Sequence, residues 1–199
     1  MLRLDLNIAD SELKNKNHPR LAGSLPAIKF LSRGGAKIII LSHRGRPKGA
    51  EEKYSLKPLA KILSKLLKKP VKFIDFKNVS VFDAKKIKKS VATASGSIFL
   101  LENLRFLPGE EKNDEKFAKQ LASLGDLYIN DAFAVSHRAN ASVEAITKFL
   151  PSYAGLLMEK EIENLNKAIK KPKKPFVIIL GGAKISDKLG IIKNFKQKA

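Results

Sequence analysis

Strand-length apolar runs alternate along this chain with stretches of helical periodicity, and no other feature limits the fold as strongly. Leu2 to Ile8, Ala36 to Leu41, Val71 to Phe76, Ser97 to Leu101, Asp126 to Ile129 and Phe176 to Leu180 read as strands. Between them, Leu21, Leu25, Ile28 and Leu31 fall at helical spacing, as do Leu59, Ile62, Leu63 and Leu66, and then Phe117, Leu121 and Leu124. A lysine-rich stretch from Ala84 to Val91 is also predicted helical. Such repetition implies an α/β, doubly wound, mainly parallel, Rossmann-like sheet. Crossovers of one hand then gather the carboxyl ends of the strands at one edge, where open sheets bind ligands.

The local signals add detail. Leu2, Leu4, Leu6 and Ile8 alternate with Arg3, Asp5 and Asn7, which predicts a strand with one apolar and one polar face. Ser55 reads as an N-cap, with Pro58 in the first turn of its helix. Pro26 is expected to kink its helix or mark the true start. His18 reads as a turn residue.

The loops after the strands carry the chemistry. Ser42-His43-Arg44-Gly45-Arg46-Pro47 follows the second apolar run and concentrates donors at the expected sheet edge. The net charge of +20 would by itself suggest nucleic acid or an anionic surface, but lysine supplies most of it, largely on helix faces and in tracts such as Lys85 to Lys89. Only seven arginines occur, and all but Arg33 lie in or beside one of the loop motifs. Arginine's planar fork grips phosphate and carboxylate bidentately, so the arginines are the specific signal and an anionic small molecule the expected ligand.

With 199 residues the chain can bury one full core and the beginning of a second domain. Residues 1–153 are expected to form an N-terminal domain, 154–172 a connecting helix and linker, and 173–199 the first βα unit of a second α/β domain. The absence of cysteine excludes disulfides, thiolate metal sites and cysteine nucleophiles. No signal peptide or membrane-length apolar run is visible, so a cytoplasmic protein without a membrane partner is expected.

Six motifs in order carry a resemblance: Asp5-Leu6-Asn7, Arg20, His43 to Pro47, Glu102-Asn103-Leu104-Arg105-Phe106, Asn130-Asp131-Ala132-Phe133 with His137-Arg138, and Gly181-Gly182-Ala183-Lys184 with Asp187-Lys188. Together they resemble phosphoglycerate kinase through the whole chain. The resemblance implies a cytoplasmic, monomeric kinase of glycolysis. It passes a phosphoryl group reversibly between ATP and the carboxyl group of 3-phosphoglycerate, giving ADP and 1,3-bisphosphoglycerate, with Mg2+ carried by the nucleotide. It further implies that Asp5, Leu6, Asn7, His43, Arg44, Gly45, Arg46, Arg105 and Arg138 bind phosphoglycerate and that Arg20 also stabilises the group in flight. Gly181, Gly182, Ala183, Lys184 and Lys188 would meet the nucleotide, the two lysines acting in catalysis.

The residue chemistry agrees independently. Phosphoryl transfer asks for positioning and positive charge rather than a nucleophile, and glycines before Lys184 at a helix opening suit phosphate. The Walker spacing is absent. Leu6 and Arg44 stand where the family usually has phenylalanine and leucine, and Ala134-Val135 replaces Gly-Thr. The residues before the first strand and nearly the whole nucleotide domain of the family are missing here. The chain is therefore expected to be a truncated form, a fragment or half of a split enzyme, with the rest supplied in trans if at all. It should bind phosphoglycerate alone yet turn over negligibly. The rival readings are a non-catalytic phosphate-binding domain and a basic nucleic-acid-binding protein. Few aromatics accompany the basic tracts, which ranks the latter low.

Overall fold

A computed structural model describes residues 1–76, 82–94, 97–170, 172, 174–179, 190 and 192. The expected glycine-rich motif from Gly181 to Lys188 lies outside the described residues. Contacts divide the chain into two compact units, Met1–Met158 and Glu159–Ala199.

In the first unit, six strands form one all-parallel sheet: β1 (Leu2–Arg3), β2 (Ile38–Leu41), β3 (Val71–Ile74), β4 (Ile98–Leu101), β5 (Tyr128–Asn130) and β6 (Ser152–Ala154). Their order is β3-β4-β2-β1-β5-β6. The chain winds outward from β1 in one direction first and returns past it to β5, so the order reverses at β1. In open parallel sheets the crevice able to take a ligand lies at the carboxyl ends of the strands beside such a reversal.

Every residue of β2 and β4 is buried, as expected of parallel strands covered on both faces. Alternate side chains enter two separate cores. Ile38, Ile40, Ile98 and Leu100 join Leu2, Leu4 and Leu6 under helices α1 (Pro19–Arg33) and α2 (Lys57–Leu67), through Leu21, Ile28, Leu59 and Leu63. Ile39, Leu41, Phe99 and Leu101 face the other way, under α3 (Ala84–Thr93) and, beyond the short α4 (Pro108–Glu111), α5 (Glu115–Ala122), through Ile87, Val91, Phe117 and Leu121. One layer of helices per face makes the sheet doubly wound.

Several local expectations need correction. Leu2, Leu4, Leu6 and Ile8 do share one apolar core, but only Leu2–Arg3 are strand, at the centre of the sheet, and the polar side is largely out of solvent, Arg3 at 1% exposure. Period-2 alternation cannot distinguish a solvent face from a buried polar site at a strand's end. α1 continues through Pro26, and its N-cap is His18, whose Nδ1 accepts from the Arg20 amide. β6 was not expected; three exposed residues leave almost no apolar signature. α6 (Leu156–Lys170) begins near the expected residue, with its first turn still in the first unit, but in the second unit Phe176 to Ile179 belong to no helix or strand. Val177 and Ile179 are exposed. Among the described residues of that unit no strand offers this run a ladder to join.

The N-cap position of α2 is Leu56, one residue beyond the expected Ser55, but it is Ser55 Oγ that accepts from the first helical amide, Lys57 N, at 3.2 Å. Ser55 Oγ also donates to Glu102, whose carboxylate accepts in addition from the Leu56 and Asn103 amides at 2.8 Å each. Glu102 is fully buried, so one carboxylate joins the start of α2 to the end of β4. Glu102→Ala strands three donors, and an expected loss of about 3 kcal/mol of unfolding free energy follows. Urea denaturation checks it; a loss below about 1 kcal/mol would show that water reaches the gap.

Candidate functional site

At the carboxyl edge beside β1 lies a cavity of about 330 Å³ lined by Asp5, Asn7, Arg20, His43, Gly45, Arg46, Arg105, Ala134, Val135 and Arg138. The four arginines arrive separately, from α1, from the loop after β2, from the turn after β4 and from the loop after β5. Only the crossover topology brings together residues up to 118 positions apart, from Arg20 to Arg138.

Local chemistry holds two of them. Asp5 Oδ1 accepts from the Asn7 amide at 3.1 Å, and Oδ2 sits 2.9 Å from Arg20 Nε. Arg20 also donates to the Asn7 carbonyl. Asp5 is thus spent on aiming Arg20. Asn7 Oδ1 accepts from the Gly45 amide at 2.7 Å, leaving the side-chain NH2 as a donor at the cavity wall. Gly45 has φ +64°, and a Cβ there would lie 2.3 Å from the Tyr54 ring, so glycine is required both by backbone and by space. Arg105 donates to the Gly45 carbonyl at 2.7 Å and pairs with Glu111 at 3.2 Å. Burial lowers its pKa, Glu111 opposing, yet a guanidinium stays charged. Among the described residues, Arg46 and Arg138 have no ion-pair partner. Two unpaired cations beside two aimed ones leave a strongly positive hollow.

Two of the expected binding residues are elsewhere. Leu6 is fully buried in the core. Arg44, also buried, turns from the cavity: Nε donates to Ile8 O at 2.6 Å, one terminal nitrogen to Lys53 O and Ser55 O, and the other to Asp10 at 2.5 Å. It ties the loop after β2 to the segment after β1. His137 is exposed and not among the lining residues.

Three positioning groups lie outside the set of expected binding residues. Asn103 accepts from the Arg44 and Arg105 amides and donates to Arg44 O and Tyr54 O, using its whole side chain to bind two loops together. Its place in the Glu102 to Phe106 motif was the available signal. Asp131 Oδ1 accepts from the Leu157 and Met158 amides, anchoring the first turn of α6 to the end of β5. Burial raises its pKa, countered by those amides. Gly155 makes that approach possible, since a Cβ there would meet Asp131 at 2.4 Å. Arg3, the third, gave no signal beyond its charge.

An open parallel sheet with convergent guanidiniums at its reversal point defines an α/β protein with a positively charged hollow at its carboxyl edge. The phosphoglycerate kinase family model matches residues 1–199, and the chain belongs to the phosphoglycerate kinase family. It is 46% identical over 202 residues to the phosphoglycerate kinase of Dictyoglomus turgidum, covering 100% of this chain and 49% of that protein. To the cytosolic phosphoglycerate kinase of Triticum aestivum it is 48% identical over 199 residues, covering 99% and 49%. The solved phosphoglycerate kinase of Coxiella burnetii superposes with a TM-score of 0.82 at 35% identity, covering 100% of this chain and 49% of that one. That of Pyrococcus horikoshii superposes with a TM-score of 0.83 at 32% identity, covering 99% and 49%. The chain spans about half the length of the curated relatives it matches.

Proposed function

We propose that this chain is the phosphoglycerate-binding half of a phosphoglycerate kinase, acting in the reversible exchange of a phosphoryl group between ATP and 3-phosphoglycerate. The observation that carries the reading is the meeting of Arg20, Arg46, Arg105 and Arg138 in one hollow. Nucleic-acid binding would instead favour cations spread along a surface, with stacking aromatics among them.

In the proposed reaction a carboxylate oxygen of 3-phosphoglycerate attacks the γ-phosphorus of ATP. A carboxyl–phosphorus bond forms as the bond from that phosphorus to the oxygen of ADP breaks, ADP keeping the electron pair. No proton has to move. Mg2+ carried by the nucleotide would supply neutralisation of its phosphate charge. Arg46, Arg105 and Arg138 hold the phosphate and carboxylate of the acid, and the Asn7 amide fixes its orientation. Arg20, aimed by Asp5, offers its remaining N–H groups to the equatorial oxygens of the migrating group. Gly181, Gly182, Ala183, Lys184 and Lys188 belong to the nucleotide side of this proposal. The protein is further read as a cytoplasmic monomer; among the described residues no helix is long and apolar enough to cross a membrane.

Calorimetric titration with 3-phosphoglycerate tests the reading. Binding is expected from the 199 residues alone, with negligible turnover in a coupled assay until the remaining half of the family's length is supplied. Ordinary turnover by this chain alone would refute the division of labour. Salt-sensitive RNA binding that ignores Arg46→Met, with no phosphoglycerate binding, would refute the function.

A further inference from the structure

Beneath the cavity floor, Arg3 is buried to 1% exposure and its Nη2 lies 2.9 Å from His43 Nδ1. Its Nη1 donates to Leu4 O at 2.8 Å and more distantly to Leu41 O at 3.4 Å. The guanidinium is thus clamped between the ends of β1 and β2. A guanidinium has only protons to give, so the Nδ1 facing it must be the bare, accepting nitrogen. In the neutral ring the proton then sits on Nε2. Among the described residues Nε2 has no partner within the protein, and His43 is one of the side chains lining the cavity.

We propose that Arg3 is a positioning residue that holds His43 in its Nε2–H form, so that the ring presents a neutral donor to the anion the cavity takes. The inference rests on reading that anion as 3-phosphoglycerate, but its central claim concerns the ring before any ligand binds. The chemistry has a purpose. A ring of arginines binds any anion by charge, whereas one uncharged N–H at a fixed place selects by geometry without adding another desolvated charge.

The groups acting on His43 come from every side: Arg3 from β1, Arg20 from α1, Arg105 from the turn after β4 and Arg138 from the loop after β5. Asp5, the one carboxylate lining the same cavity, is taken by Arg20. Burial first, then these guanidiniums, push the imidazole pKa down to about 2, in keeping with a ring that stays neutral at physiological pH.

The test is long-range proton–nitrogen correlation NMR of the nitrogen-15-labelled, ligand-free chain between pH 5 and 8. His43 should show a bare Nδ1 and a protonated Nε2 at every pH. Arg3→Met, which keeps bulk and removes the donors, should give a mixture of tautomers. Arg3→Lys, keeping one donor, should restore the single pattern. A protonated Nδ1 in the unmodified chain, or an unchanged pattern in Arg3→Met, would overturn the proposal. If Arg3→Met does not fold, the unmodified chain and Arg3→Lys decide. Titration with 3-phosphoglycerate is the second arm. Arg3→Met should weaken binding about tenfold at pH 8, the cost of roughly one misplaced charge-assisted hydrogen bond. The expected NMR pattern without any phosphoglycerate binding would remove the functional reading and leave the Arg3 role standing.

Discussion

Arg138→Met is expected to weaken 3-phosphoglycerate binding by roughly 100-fold, the upper range for loss of a charged hydrogen-bonding partner. It should leave unfolding in urea unchanged to within about 0.5 kcal/mol. The separation follows from what Arg138 does in the ligand-free protein. Its side chain is half-buried, Nε has no hydrogen-bond partner, and among the described residues no acid pairs with it. Its backbone amide bonds to Val135 O, which the substitution preserves. Removing the guanidinium therefore orphans nothing. Arg105→Met offers the contrast, because it also frees the Gly45 carbonyl and Glu111, so affinity and stability should fall together. Calorimetry and denaturation on the same preparations check both. Unchanged affinity in Arg138→Met would remove the loop after β5 from the binding site.

Acid should destabilise the first unit steeply, and His43 is the principal cause. Its pKa is about 2 in the folded chain against 6.5 for the free group, so between those values the unfolded state holds the extra proton. The stability contributed by keeping the ring neutral is complete above pH 6.5. It is lost as pH falls through the unfolded value, at about 1.4 kcal/mol per pH unit once the unfolded ring is protonated. By pH 4.5 the loss should reach about 3 kcal/mol. Asp131 works in the opposite sense: its raised pKa means that acid relieves a burial cost. His43→Gln isolates the first effect. Its midpoint in urea should vary much less with pH between 6.5 and 4.5, and a slope equal to that of the unmodified chain would disprove the assignment.

The alternation of apolar runs and helical spacings determined the α/β class, and the arginine-bearing loops fell where parallel crossovers require them. Those features are local: a strand or a loop is written in neighbouring residues. What only the tertiary structure decided is the division of labour within each motif. Arg44 and Arg46 are two residues apart, yet one is spent on backbone carbonyls and the other is free at the cavity. Glu102, Asn103 and Arg105 share one motif, but two of them hold loops and one faces the ligand site. Arg3, in a run that alternates like a surface strand, is buried beneath His43. Charge and spacing are properties of the chain, whereas the partner that claims each guanidinium is set by which distant segments the sheet places beside it.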